Sequence, residues 1–460
     1  MSRPNIVFVF ADQLRYSALA SSGNAVVQTR NLDRLAEQGV VFDNAFSSCP
    51  ICSPFRGHLF TGRYSHQNGV IDNEYGLFPN ETTLPQVLKQ AGYRTGFVGK
   101  WHLGYGPYTE DKRYGFDYLA AHNCSHSYYE VSYHENESGP HAMEGWAPEA
   151  ETELALRYLE RCANEDQGQP LALFLGWGPP HWPYDQYPGE YRVYRPESVD
   201  LPPNVPVQME HFARRELAHY YGNVTALDAQ FGRIMARLDE LGMAHNTILC
   251  FSSDHGDHLS SHGYGKPFDL WLHHTKRCSK ATPHEESIHI PFILRYPGAV
   301  PAGTRAQTLL SSVDMMPTLL GLCGIDVPEA VAGEDLSHAA LGGSGREPDS
   351  VYLQILGPGW PHRGKWVGFW RGLRTSRWTY ARWWRDETEP WLYDREADPW
   401  EMDNLAGKPE FAETQAEMEA RLQQWMAETN DPFDTGDRDA DTGILKLGQQ
   451  YTHPCYEQVP

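Results

Sequence analysis

Short apolar runs recur along the chain at residues 6–10, 96–98, 171–175, 247–251 and 291–294. Within each run the apolar residues are mostly consecutive rather than alternate, and each run is too short for a helix. That pattern predicts buried strands of a parallel sheet covered on both faces. Between the runs, apolar positions step by three and four. The clearest helix carries Val224, Leu227, Phe231, Ile234, Leu238 and Leu241 on one face, with Gly242 as the expected C-cap. Strands alternating with helices predict an α/β fold.

After about residue 340 the texture changes. The stretch 342–345 is Gly-Gly-Ser-Gly, a flexible joint, and the chain beyond it is rich in Trp, Arg and Tyr. Runs at 351–355, 366–370 and 378–382 predict a small antiparallel sheet, with a helix over about 409–428 packed on it. The expected organisation is a main α/β domain over 1–340 and a smaller C-terminal α+β subdomain over 341–460. The tail after Asn430, rich in Pro and Asp, is expected to be irregular. The chain shows no internal repeat and no low-complexity segment.

The 460 residues are 40% hydrophobic and 12% aromatic, enough for a large core, which excludes wholesale disorder. With 38 Lys and Arg against 60 Asp and Glu, the net charge is −22. Such a surface repels phosphate backbones and anionic bilayers, so nucleic acid and membrane are excluded as expected partners. An anionic small molecule must instead be caught by a local cluster of positive groups. Eight irregularly spaced cysteines imply no disulfide scaffold. The first apolar run is broken at Asp12, too early for a signal-peptide core, and no stretch is long enough to span a bilayer. The expected location is the cytoplasm. The sequence carries no signal for oligomeric state.

Candidate chemistry begins at Cys49-Pro-Ile-Cys52-Ser-Pro-Phe-Arg56. The C-x-x-C pair admits a redox reading, or a pair of buried structural thiols. A redox pair normally sits in a small thioredoxin-like unit, whereas this one lies in a long α/β chain. A third reading is favoured by Ser53-Pro54, because proline suits the first turn of a helix. Cys52 then sits at a helix N-terminus, where free N–H groups and the dipole attract an anion. Arg56, one turn on, points its guanidinium at the same spot.

Cys52-Ser-Pro-Phe-Arg56 resembles the signature of the sulfatase family, in which that cysteine becomes formylglycine. Gly92-Tyr-Arg-Thr-Gly-Phe-Val-Gly-Lys-Trp-His102 is similar to the family's second signature, and Asp254-His255-Gly256 to its second metal motif. The resemblance continues through Pro180-His181, Glu285-Glu286-Ser287, Asp314-Met-Met-Pro-Thr318 and the stretch from Leu392 to Pro399, in the family's order. It implies a large mixed, mostly parallel sheet flanked by helices, as in alkaline phosphatase, and a sulfuric ester hydrolase acting on a small anionic sulfate ester. It also implies a formylglycine-generating maturation enzyme as partner. The hydrated aldehyde of formylglycine offers two hydroxyls: one attacks sulfur, and loss of a proton from the other ejects sulfate. A plain thiol would leave a thiosulfate ester with no comparable exit.

The resemblance assigns a divalent cation to Asp12, Gln13, Asp254 and His255, together with residue 52. Both pairs directly follow predicted strands, whose ends converge at one edge of an α/β sheet. The oxygen donors suit Ca²⁺ first, then Mg²⁺. His255 stands where Asn is common in the family, and its nitrogen keeps Mn²⁺ and Zn²⁺ open. Gln13, where many members have a second Asp, lowers the negative charge. The plainer alternative is a strand-end Asp capping the next helix. By the same resemblance Lys100 and His102 flank the nucleophile, His181 donates a proton to the leaving oxygen, and Lys280 is a second sulfate-binding lysine, with Lys276 close by.

His258 and His262 are one turn apart, like a zinc pair, but read better as a polar surface turn. Residues 264–279 read as an insertion near the site. They hold Lys266, Trp271, His273, His274, Lys276 and Arg277, suited to an acidic or sugar-like substrate or simply to a solvated loop. Trp177, Trp182 and Trp271 are candidates to stack on a sugar or aryl ring. Two other readings stand beside the sulfatase. A phosphonate monoesterase or phosphodiesterase of the same superfamily also shares Cys-x-Pro-x-Arg, Asp-Gln and Asp-His, but usually lacks the Lys-x-His pair present here as Lys100 and His102. A catalytically silent binder would be expected to have lost a nucleophile or metal position, and none is missing.

Overall fold

The fold is described from a computed structural model covering residues 3–440 and 443–447, apart from 74, 166–167, 264–279, 358–360, 363–364, 367 and 385–387. Ten strands form the main sheet: β1 (Asn5–Asp12), β2 (Val40–Phe46), β3 (Arg94–Lys100), β4 (Tyr118–His122), β5 (Ser132–Glu135), β6 (Ser138–Ala142), β7 (Leu171–Pro180), β8 (Thr247–Ser253), β9 (Phe292–Arg295) and β10 (Thr304–Ser311). Their order is β10-β2-β9-β8-β1-β7-β3-β4-β5-β6, and the centre from β8 to β4 is parallel throughout.

β1 shows why its run of apolar residues forms a central strand. Val7, Val9 and Ala11 point to one face, into a core with the helices Ala147–Glu165 and Glu210–Glu240. Ile6, Phe8 and Phe10 point to the other, against Cys52–Thr61, Leu84–Gln90 and Met315–Leu322. Alternation therefore serves two cores at once, and from Ile6 onward no position is polar until Asp12 at the strand end.

The run at 291–294 departs from expectation. It forms β9, which lies antiparallel to both β8 and β2. β8 ends at the carboxyl edge, and the described chain after it stays there: Gly256 N–H donates to Ser287 O at 2.8 Å, and Ser47 N–H donates to Ile288 O at 2.8 Å. The chain re-enters the sheet from the edge it left, so the next strand must run back. Burial on both faces looks the same for either direction.

The second sheet is an antiparallel meander of β11 (Ser350–Ile355), β14 (Trp370–Thr375), β15 (Trp378–Trp383) and β16 (Trp391–Asp394). The strand expected at 366–370 is displaced. Among the described residues Lys365–Trp366 (β13) pairs only with Pro361–His362 (β12), and β14 begins at Trp370. The displacement has a physical origin: β14 carries Arg371 and Arg374, both buried, so its apolar pattern is broken. The C-terminal helix runs Ala412–Glu428 after a 3₁₀ turn, Pro409–Phe411, and packs Leu422 and Met426 on the sheet beside Leu373, Tyr380 and Leu392. Among the described residues no helix is long and apolar enough to cross a membrane.

Arg371 is buried because the irregular tail returns Asp431 to it. Nε and Nη2 of Arg371 donate to the two Asp431 oxygens at 2.6 and 3.0 Å, and Tyr352 donates to the same carboxylate at 2.7 Å. Burial pushes the Asp431 carboxyl up, but Arg371 and His66 outweigh it and hold it well below the usual carboxylate range. Asp431→Asn leaves a buried, uncompensated guanidinium and is expected to lower unfolding free energy by ~3–5 kcal/mol. Because the native carboxyl is depressed, the wild-type advantage is complete above pH ~4 and shrinks as pH falls below it. Urea denaturation of both proteins at pH 7 and pH 3.5 checks the size and sign.

Candidate active site

The sheet's carboxyl edge gathers the ends of β1, β3, β7 and β8. Beside it the helix Cys52–Thr61 begins at the predicted cysteine, preceded by extended Ile51 and with Pro54 in its first turn. Cys52 Sγ lies 3.5 Å from Asp12 Oδ1, 3.3 Å from His255 Nε2 and 3.1 Å from Lys280 Nζ. Arg56 donates from Nη1 to Asp254 Oδ2 at 2.9 Å and to Cys52 O at 2.8 Å, with Nη2 3.5 Å from Asp12 Oδ2. Lys100 Nζ bonds Asp12 Oδ2 at 2.6 Å. These groups are buried.

Gln13 closes the other side. Its Oε1 accepts from Lys280 Nζ at 3.1 Å, and its backbone N–H donates to Asp254 Oδ1 at 2.8 Å. The residue sits at φ 70°, a region uncommon for side chains with a Cβ. Two anchors hold it there: Nε2 donates to Asp257 Oδ2 at 2.7 Å, and Tyr220 OH donates to its carbonyl at 2.6 Å. His255 donates from Nδ1 to Gly256 O at 2.9 Å, an assignment set by the carbonyl, which turns Nε2 inward.

The remaining expected residues join the same cluster. His102, at φ 53°, and His181 are both buried and feel Lys100, Lys280 and Asp12 electrostatically. His181 Nδ1 faces Trp182 O at 2.8 Å, and Tyr128 OH donates to His181 O at 2.9 Å. Burial and the lysines push both imidazoles well below the ordinary histidine range. Burial alone would raise Asp12, yet Lys100, His181, Lys280 and Arg56 hold it well below its ordinary value. Asp254 goes the other way, pushed up to about 6 by burial and by Asp12.

Donor atoms of Asp12, Cys52, Asp254 and His255 all lie within 4.8 Å of one another. With Gln13 Oε1 this is a mixed oxygen, nitrogen and sulfur donor set around one point. Burial leaves Asp254 inclined to protonate, and a divalent cation held by these donors would favour its ionised form; the donor set fits one.

Several sequence expectations change. Burial pushes the Cys49 thiol far up, and Cys49 packs in a core with Phe46 and Ile51, so the C-x-x-C pair is one core thiol and one site thiol, both free. Trp177 is fully buried in the main core rather than presented to a substrate ring. His258 and His262 are no surface turn: His258 Nε2 meets Thr282 Oγ1 at 2.7 Å, and His262 pairs with Glu286 at 3.3 Å and stacks on His284 at 3.8 Å. Their cover, Glu401 and Trp391 on His284, comes from more than a hundred residues later, beyond any local pattern. Lys266, Trp271, His273, His274, Lys276 and Arg277 lie outside the described residues. Sequence reading missed Asp257, Tyr220 and His126; only the neighbouring Asp254 motif hinted at the first.

The sulfatase family profile matches residues 4–325, and residues 275–428 match the C-terminal region of N-sulphoglucosamine sulphohydrolase. An ulvan-active sulfatase of Formosa agariphila is 35% identical over 448 residues, covering 95% of this chain and 83% of its own. An N-acetylglucosamine-6-O-sulfatase of Bacteroides thetaiotaomicron is 27% identical over 533 residues, covering 97% and 90%. A solved Bacteroides thetaiotaomicron structure connected with glycosaminoglycan metabolism superposes with a TM-score of 0.83 at 26% identity, over 94% of this chain and 98% of that one.

Divalent-cation binding is expected to depend on both carboxylates. Asp12→Asn and Asp254→Asn should each weaken Ca²⁺ binding by more than ~100-fold, beyond the ~10–100-fold typical of losing an outer partner. Asp257→Asn, one step removed through Gln13, should fall within that smaller range. Isothermal titration of the chelator-treated proteins measures all three.

Proposed function

The chain belongs to the sulfatase family, and on that premise we propose that it removes sulfate from a carbohydrate monoester, with Cys52 as the precursor of a formylglycine nucleophile and one divalent cation, Ca²⁺ first, beside it. The observation that carries this reading is Cys52 itself. It stands at a helix N-terminus, 3.1 Å from Lys280 Nζ and within the cluster of Asp12, Asp254 and His255. Formylglycine, as its hydrate, supplies the attacking hydroxyl and a second hydroxyl whose deprotonation releases sulfate without water attacking sulfur. The cation supplies positive charge that favours ionisation of the nucleophile.

The chain's own residues then have distinct tasks. Arg56 spans Asp12 and Asp254 and keeps both carboxylates aimed inward. Lys100 and Lys280 hold the anionic ester against residue 52 and offset the charge that builds on its oxygens in the transition state. His102 has a buried Nδ1 with no partner among the described residues, available for an oxygen of the sulfate or of residue 52. His181 commits Nδ1 to the Trp182 carbonyl, which leaves Nε2 for the bridging oxygen. The bound ester's negative charge favours its protonation, and it donates that proton to the departing alcohol.

A carbohydrate is favoured by the relatives, named for ulvan and N-acetylglucosamine-6-O-sulfate chemistry, and by the polar rim at His126 and Trp182. Gln13 and His255 are the observation on the side of phosphonate monoester chemistry, since both reduce negative charge at the cation donors. The buried Lys100 and His102 weigh towards the four-oxygen sulfate head.

The metal-replete protein, with an aldehyde at residue 52 verified by mass spectrometry, is expected to hydrolyse 4-nitrophenyl sulfate much faster than the matching aryl phosphonate monoester. Cys52→Ala should lower sulfate turnover on the order of 10⁴-fold or more. Faster phosphonate turnover would reassign the chemistry. His181→Ala should cost ~10²–10⁴-fold with a sugar sulfate and far less with 4-nitrophenyl sulfate, whose leaving group needs no proton.

A further inference from the structure

We infer that His126 is a specificity residue that hydrogen-bonds a sugar hydroxyl adjacent to the scissile ester, on the outer side of His181. The inference rests on the carbohydrate-sulfatase reading above and adds a residue and a contact to it.

The argument starts from position. His126 lies in the loop after β4, and β4 is the parallel neighbour of β3, which ends at Lys100. Its loop therefore opens at the same sheet edge as Asp12, Lys100 and His181. The His126 ring stacks on His181 with centroids 5.0 Å apart and planes 27° apart, and lies 6.1 Å from the Trp182 ring. Cys52, Lys100, Lys280 and His181 are all buried, whereas His126 is exposed. The two imidazoles thus form a short column from solvent down to the group beside the bridging oxygen. A sulfate ester enters with its anionic head against residue 52, so its alcohol portion points outward. His126 stands beyond His181 on that outward side.

The chemistry of that ring suits a sugar. Burial of its stacked face, with Lys100 and Lys280 nearby, pushes His126 down to about 4, against weaker opposing effects of Asp12 and the Trp182 carbonyl. At neutral pH the ring is uncharged, and with one nitrogen turned to the Trp182 carbonyl its other nitrogen offers a lone pair to which a sugar hydroxyl can donate. A simple aryl sulfate has no hydroxyl next to the ester and makes no such bond. His126 therefore separates substrates by what lies beside the sulfate rather than by the sulfate itself.

The test compares His126→Ala and His126→Gln with wild type, all metal-replete and with residue 52 converted. Substrates are 4-nitrophenyl sulfate and a panel of N-acetylglucosamine, galactose and rhamnose monosulfates. His126→Ala is expected to lower kcat/KM for the best sugar sulfate by ~10-fold or more while changing 4-nitrophenyl sulfate by less than ~3-fold, as for loss of one hydrogen bond to bound substrate. His126→Gln, which keeps a donor and an acceptor, should recover part of the loss. Sugar-sulfate turnover insensitive to His126→Ala overturns this inference alone. Equal losses on both substrates also overturn it, because His126 would then act through His181. Turnover of 4-nitrophenyl sulfate with no sugar sulfate hydrolysed by wild type overturns the carbohydrate reading and this inference with it.

Discussion

The site depends on the mutual neutralisation of charges that no solvent reaches. Asp12 and Asp254 are fully buried, and Arg56 bridges them while Lys100 pairs with Asp12 at 2.6 Å. Removing one member leaves its partners charged in a low-dielectric interior, a loss of several kcal/mol. The same arrangement solves the problem set by a net charge of −22. An anionic ester approaching such a surface is repelled, so attraction must come from a few cations held close together and desolvated. Lys100, Lys280 and Arg56 form such a group of cations around Cys52.

Parallel strands make the meeting feasible. β1, β3, β7 and β8 end at one edge, and each delivers a functional group within two residues of its end: Asp12 and Gln13, Lys100 and His102, His181, Asp254 and His255. The unusual backbone of Gln13 and His102 sits at these strand ends, where the chain must turn sharply while its side chain stays inward. Rigid strands place the groups, and the loops beyond them, including the one with His126, open at the same edge.

The C-terminal sheet has a part in this. Trp370 Nε1 donates to Ala281 O at 2.9 Å, and Arg374 Nε bonds Glu285 Oε1 at 2.6 Å. Glu401 accepts from Glu285 N–H at 2.9 Å. Burial and the neighbouring acids push Glu401 up to about 7, although Arg395 opposes them. These contacts brace the segment that carries Lys280 from one side, while Gln13 meets the lysine from the other. The C-terminal subdomain thus helps to fix the position of Lys280.

What the sequence by itself determined is local. Continuous apolar runs made β1, β7 and β8 legible, three-and-four steps made the long helix legible, and Ser-Pro after Cys52 marked a helix start. The short motifs named the residues that now surround Cys52, because their chemistry is written in residue type and spacing. Tertiary structure alone decided the rest. β9 runs antiparallel because the chain re-enters from the edge it left, which burial patterns cannot encode. β14 was displaced because Arg371 is buried only when Asp431 returns to it from sixty residues away. His258 and His262 turned inward for the same reason, under cover supplied by the C-terminal sheet. His126 came to lie on His181 through a stacking contact between residues fifty-five positions apart in the chain. Periodicity and propensity report what a residue asks of its neighbours in sequence. A buried charge or a stacked ring is satisfied by neighbours in space, and those exist only once the chain has folded.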